Sequence, residues 1–352
     1  MRNLNPHQMF IEMARKHTPK YHFRGSTKAD FQKWQAAARP EVAKCLLRFP
    51  DPVPLNPELV VEWESDGLRR QRWLIDVQEH LSASLLVNIP GQLKPGRKRP
   101  AILCWHGHGA FGKEPVMGNK SSPDMAQSMR VFNYGYGEKM AQAGYVTFAI
   151  DWIGAGERHP EKKPNQSTVG AGRDWCNLLY LNATMFGMTS ISINVRHGMA
   201  ATDFVCSLPF VDARRLGVMG LSGGGTMTTW TYFCDERFSA AEIICYCDLW
   251  ETFGMRDINY CGMQVAPGLY VLVDLPDLQG LLAPKPLLID IGVQDTCFMI
   301  DSTTQAYRQV QRIYKAAGAA EKLELDLFPS EHSWGGNKSK AFFARHLGGK
   351  GG

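Results

Sequence analysis

From Pro100 onward the chain alternates short, unbroken apolar runs with longer stretches of helical periodicity. The runs are AILCW (101–105), YVTFAI (145–150), LGVMGL (216–221), AEIICYC (241–247), PLLIDIG (286–292) and LELDLF (323–328). Helices are expected between them near Tyr136–Ala143, Ile191–Leu208, Thr226–Phe233 and Thr303–Ala317. A strand that is apolar at every position is buried on both faces. Such strands, separated by helices, specify an α/β fold with a mostly parallel central sheet covered on both sides. A hydrophobic content of 44% over 352 residues supplies the core this requires.

The first half of the chain reads differently. Strands are expected at about Val60–Glu64 and Arg72–Val77, joined by a Ser65-Asp66-Gly67 turn, and at Ser82–Ile89, stopped by Pro90-Gly91. Before them, FIEMARK and DFQKWQAAARPEVAKCLLRF carry apolar groups at three- and four-residue spacing. Ser26 or Thr27 is placed to cap the second helix, and Pro40 to kink or divide it. The proline-rich DPVPLNPELV then reads as a rigid connector. Residues 1–57 are thus expected as a helical extension packing on a single domain of residues 58–352.

Charge and composition narrow the function classes. A formal charge of +5 is small for this length, and the basic residues are scattered apart from Lys94–Arg99, which reads as a solvated loop. No basic stripe supports nucleic-acid binding. No run reaches the ~18 apolar residues of a membrane span, and the N-terminus lacks an apolar signal core. The expectation is a cytoplasmic protein whose nine cysteines, an odd number, are mostly buried reduced thiols. Cys245-Tyr-Cys247 lacks the paired spacing of a zinc site, and no second Cys/His pair sits at ligand spacing, so no metal is expected. Self-association as a homo-oligomer stays open. The polar, glycine-rich insertion between Arg158 and Asp174 follows a strand end, where it either shapes a pocket or forms a surface loop.

The stretch RRLGVMGLSGGGTMTTW places Ser222 between an apolar strand and three glycines that open a helix. Gly220-Leu221-Ser222-Gly223-Gly224 fits G-x-S-x-G, in which a serine is forced onto a sharp strand-to-helix corner with its hydroxyl exposed. The backbone N–H of Gly223 then faces a developing oxyanion. A serine nucleophile needs a base and a group that orients the base, and in this architecture they follow in the order acid, histidine. Asp295 comes just after the PLLIDIG strand, and His332 just after LELDLF. Asp248, past the preceding strand, is the substitute acid; Asp290 lies inside its strand and is expected to point into structure, and Glu331 adjoins the histidine too closely to orient it.

A second oxyanion donor is expected from the loop after AILCW, His106-Gly107-His108-Gly109-Ala110-Phe111-Gly112, with the N–H of His108 favoured and Gly109 second. Gly107-x-Gly109-x-x-Gly112 also matches a dinucleotide fingerprint. That motif needs a helix opening at the glycines and an acid ~20 positions on, and the following KEPVMGNKSSPD carries two prolines and is expected to form no helix. No Gly-Lys-Ser/Thr follows Ser222, which excludes a P-loop there.

Together HGHG, DWIGAGER, GLSGGG, VQD and EHSW resemble the α/β-hydrolase fold, and more narrowly its bacterial branch of dienelactone-hydrolase-like and acetyl-xylan-esterase-like proteins. The resemblance spans about residues 80–345. It implies Ser222 as nucleophile, Asp295 as acid, His332 as base, and Gly223 with the HGHG loop as oxyanion donors. It also implies that Asp151 and Arg158 brace the site, and that the reaction is hydrolysis of a small-molecule ester, short-chain and acetyl-like, with no cofactor. Dienelactone hydrolases proper use cysteine where this chain has serine. Phe111, Trp152, Trp175 and Tyr260 are candidate pocket aromatics, or alternatively core residues. The competing functions are a serine peptidase or amidase on the same fold and a non-catalytic binding protein.

Overall fold

The computed structural model describes residues 2–91, 93, 96–159 and 174–348. Nine strands form one sheet: β1 (Glu58–Ser65), β2 (Leu68–Gln78), β3 (Leu81–Pro90), β4 (Arg99–Trp105), β5 (Val146–Ile150), β6 (Val211–Leu221), β7 (Phe238–Ile244), β8 (Leu287–Gly292) and β9 (Leu323–Phe328). Their spatial order is β1-β2-β3-β5-β4-β6-β7-β8-β9. β1, β2 and β3 pair antiparallel, as do β3 and β5, and every pair from β5 through β9 is parallel. The hairpin β1–β2 turns through Asp66 and Gly67, both at positive φ (53° and 75°), the geometry that matches the twist of the flanking strands.

The unbroken apolar runs are explained by burial on both faces. Along β4, Leu103 and Trp105 join the larger core, whereas Ile102 and Cys104 join the core on the opposite face. In β8, Ile289 and Leu288 divide the same way. Side chains alternate across a strand, so two apolar layers need apolar residues at consecutive positions. The larger core also receives Phe31, Ala38 and Val42 from the N-terminal helix Lys28–Lys44. Each large apolar side chain so buried contributes roughly 1.5–3 kcal/mol.

Three expectations are corrected. Pro40 does not divide its helix, which runs unbroken from Lys28 to Lys44 and is opened by a Thr27–Asp30 capping box. β7 ends at Ile244, three residues before the apolar run does, because Cys245 turns to φ 47° and leaves the ladder. KEPV does form one helical turn, Lys113–Val116, despite Pro115. Proline is tolerated in a first helical turn, where no N–H is required. The Arg158–Asp174 insertion lies outside the described residues at 160–173, as do parts of the basic loop, at 92, 94 and 95. Among the described residues no helix is long and apolar enough to cross a membrane.

Candidate active site

Ser222 occupies the corner between β6 and the helix Gly223–Cys234, at φ 60° and ψ −117°. A non-glycine residue there stores roughly 1–3 kcal/mol of backbone strain. The corner is held by close backbone packing: a Cβ on Gly224 would stand 2.4 Å from the carbonyl oxygen of Trp105. The Ser222 N–H donates to the Ile244 carbonyl at 2.8 Å, which ties the corner to the neighbouring strand. Gly223 is the first helical residue, where N–H groups have no intrahelical acceptor.

Two further strand ends bring Asp295 and His332 together. The loops after β8 and β9 are latched by backbone bonds from Val293 to Phe328 (2.9 Å) and Gln294 to Ser330 (3.0 Å). The Asp295 carboxylate accepts from His332 Nδ1 at 2.8 Å through Oδ2, and from the N–H groups of Cys297 (2.7 Å) and Phe298 (3.1 Å) through Oδ1. Both oxygens are thus fixed, and the carboxylate is buried. Phe298 stacks on the His332 ring at 5.7 Å between centroids and 18° between planes. On the far side of the histidine loop, Trp334 Nε1 donates to Glu242 at 2.8 Å and the Trp334 N–H to the Phe132 carbonyl at 3.0 Å.

Asp248 does not share that role. It is fully buried, its Oδ1 accepts from Leu249 at 2.6 Å, and its Oδ2 has no partner. Desolvation pushes its carboxyl up to about 7. Asp290 is buried within β8, where burial and then the neighbouring Glu242 raise its carboxyl well above the usual range. It points into the protein.

Ser222 and His332 line one cavity of about 400 Å³ with His108, Phe132, Tyr260 and Phe298. Of the four proposed aromatics, Tyr260 alone is among these lining residues. Trp152 is buried beneath the HGHG loop, its ring packed on His106 (4.4 Å) and His108 (5.1 Å). Phe111 lies outside the lining, and so does Trp175, which opens the helix Trp175–Met185. Phe132 and Phe298 take the places that sequence reasoning gave to Phe111, Trp152 and Trp175. Neither follows a motif, and only the long-range packing of the Asp295 and His332 loops reveals them.

The HGHG loop is built around a buried neutral histidine. His106 Nε2 accepts from the Trp152 N–H at 3.2 Å, which leaves Nδ1–H to donate to the Gly107 carbonyl at 2.8 Å. Burial lowers its pKa, consistent with the neutral ring that this pairing requires. His108 and Gly109 are both exposed, and His108 lines the cavity. Below them, Asp151 accepts from the Lys113 Nζ and N–H, each at 2.7 Å, and from the Glu157 N–H at 3.1 Å. Burial opposes ionisation of Asp151, but the Lys113 charge, the adjacent His106 and the hydrogen bonds from Lys113 together outweigh it and hold the carboxyl below its ordinary value. The Arg158 guanidinium donates to the Asp151 carbonyl (2.8 Å) and His197 (3.0 Å), and burial lowers its pKa to about 10. Asp151 is therefore committed to a buried ion pair with Lys113.

Comparisons with known proteins agree with this fold. The "Putative hydrolase YtaP" of Bacillus subtilis (strain 168) is 23% identical over 303 residues, covering 85% of this chain and 94% of that protein. A "putative acetyl xylan esterase" of Bacteroides fragilis NCTC 9343 superposes with a TM-score of 0.72 at 20% identity, over 93% of this chain and 83% of that one. A glucuronoyl esterase from Solibacter usitatus gives 0.65 at 16% identity, over 94% and 98%. The two structural likenesses are of the fold, a mostly parallel central sheet covered by helices. The profile of the Abhydrolase family matches residues 1–332, and the chain belongs to that family of α/β hydrolases.

Proposed function

We propose that the protein is a serine carboxylic-ester hydrolase that uses Ser222, His332 and Asp295 through an acyl-enzyme, on small-molecule esters with short acyl groups. The observation that carries this reading is the 2.8 Å bond from His332 Nδ1 to a doubly anchored Asp295, on the cavity that Ser222 also lines. With Nδ1–H committed to Asp295, Nε2 is the ring nitrogen left to act as base.

Ser222 Oγ attacks the ester carbonyl carbon as His332 Nε2 takes its proton. The carbonyl oxygen becomes an oxyanion and is held by the N–H of Gly223 and an N–H of the HGHG loop, that of His108 or Gly109. Each such donor stabilises the transition state by ~3 kcal/mol. Protonated His332 gives its proton to the departing alcohol, leaving the acyl group on Ser222. Water, deprotonated by His332, then attacks the acyl-enzyme and releases the acid. Asp295 holds the imidazole tautomer and offsets its transient charge.

A cavity of about 400 Å³ with aromatic walls suits a short acyl chain. The names of the structural neighbours, esterases of acetylated xylan and of glucuronoyl groups, support carbohydrate esters as the substrate class. Free cysteines throughout the described residues support placement in a reducing compartment.

The test is hydrolysis of p-nitrophenyl acetate, butyrate and octanoate by the wild type and by Ser222→Ala. The expected result is preference for acetate and a loss of ~10³-fold or more in the variant. Equal rates from the two proteins, with no labelling of Ser222 by a fluorophosphonate, would sink the proposal.

A further inference from the structure

Beside the hydrolytic residues stands a cluster that the sequence keeps far apart. One ring nitrogen of His108 and the Sγ atoms of Cys176 and Cys261 all lie within 4.8 Å of one another. His108 Nε2 is 3.2 Å from Cys261 Sγ. Cys176 is buried, Cys261 half-buried and His108 exposed.

Each of the three is positioned by partners outside the cluster. Cys176 lies in the first turn of the helix Trp175–Met185, and its N–H donates to the capping carboxylate of Asp174 at 3.0 Å. The Cys261 N–H donates to Gln264 Oε1 at 3.2 Å, and the next N–H, of Gly262, donates to Asn177 Oδ1 at 2.8 Å. That last bond joins the two cysteine-bearing segments. Trp152 packs edge-on against His108. Such outer contacts orient ligands before an ion arrives.

We propose that His108, Cys176 and Cys261 form a binding site for a thiophilic divalent cation of the zinc type, on the wall of the cavity that contains Ser222. Around a tetrahedral zinc ion, sulfur at ~2.3 Å and nitrogen at ~2.0 Å stand roughly 3.6 Å apart. The His108–Cys261 separation of 3.2 Å is within a few tenths of an ångström of that value, and the 4.8 Å limit on the other separations leaves a closure of at most about 1 Å. Two sulfurs and an imidazole select zinc over magnesium or calcium, which take oxygen ligands. Because His108 and Cys261 line the cavity, the fourth position is open to water or to a bound oxygen ligand. An ion here ties the HGHG loop to the start of the Trp175–Met185 helix.

The experiment is anaerobic titration of the full-length, reduced protein with Co²⁺, after all nine thiols have been counted with a chromogenic disulfide. One equivalent is expected to raise a thiolate-to-cobalt charge-transfer band in the near ultraviolet with tetrahedral bands in the visible. One equivalent of Zn²⁺ should abolish both. Cys176→Ala and Cys261→Ala should each weaken Co²⁺ binding at least 10-fold, whereas Cys206→Ala should not, with circular dichroism confirming that all three fold. A fully reduced protein with no thiolate band, or a band that survives both cluster substitutions, overturns the site. The readout involves no ester, so it can fail or succeed independently of the hydrolase proposal.

Discussion

His332 Nδ1 and Asp295 Oδ2 meet at 2.8 Å, although the two residues are 37 positions apart, because the loops carrying them are latched backbone to backbone. Asp248, the other acid at a strand end, is buried and bonds locally instead. Asp295→Asn should therefore lower kcat on p-nitrophenyl acetate by ~10⁴-fold, since the amide stabilises the wrong tautomer. Asp248→Asn should leave kcat within a few-fold of wild type. Steady-state kinetics on both variants checks the assignment, and the reverse pattern would reject it.

Gly223 packs directly on Trp152: a Cβ at Gly223 would stand 2.3 Å from Trp152 Cη2. Gly223→Ala should cost about 1–3 kcal/mol of stability by overpacking and reduce kcat by shifting the oxyanion donor. Trp152→Phe removes the opposing atoms. The double variant should recover part of both losses, giving a coupling energy of about 1 kcal/mol or more in urea denaturation. Strictly additive losses would mean that the contact is not the cause.

Asp248 gives the stability a pH dependence of definite sign. Its folded carboxyl titrates at about 7, above the ordinary 3.8, because of burial. The folded state then holds a proton that the unfolded chain releases, so the contribution is full below about pH 4 and is lost as pH rises through 7. A shift of this size corresponds to at most ~4 kcal/mol. Asp248→Asn cannot lose a proton, so its stability relative to wild type should improve between pH 4 and pH 8. Denaturant midpoints across that range measure it; a flat difference would refute the buried, protonated acid.

Lys113 is fully buried against Asp151 beneath the HGHG loop. Lys113→Met strands the Asp151 charge and should cost roughly 3–5 kcal/mol. Lys113→Met with Asp151→Asn should be milder than Lys113→Met alone, because it removes the uncompensated charge. Chemical denaturation of the three proteins decides this.

Much of this molecule is legible one residue at a time. The apolar runs 101–105, 145–150, 216–221, 286–292 and 323–328 coincide with β4, β5, the end of β6, β8 and β9. Strands buried on both faces must be apolar throughout, and that requirement is local. Ser222, Asp295 and His332 are legible for a related reason: each follows a strand end, and the order of strand ends is the order of the chain.

What the sequence could not determine is set by contacts across the fold. Periodicity does not reveal that β5 lies between β3 and β4, because strand order depends on which faces the crossovers bury. The stacking of Phe298 on His332 follows from the latch between two loops. His108 and Cys261 are 153 positions apart, at no recognisable ligand spacing, and meet only because the HGHG loop and the segment after β7 border the same cavity. Sequence by itself determined which residues sit at strand ends, since that depends on neighbours along the chain. Tertiary structure alone decided which of them touch, since chain separation carries no information once the sheet has closed the distance.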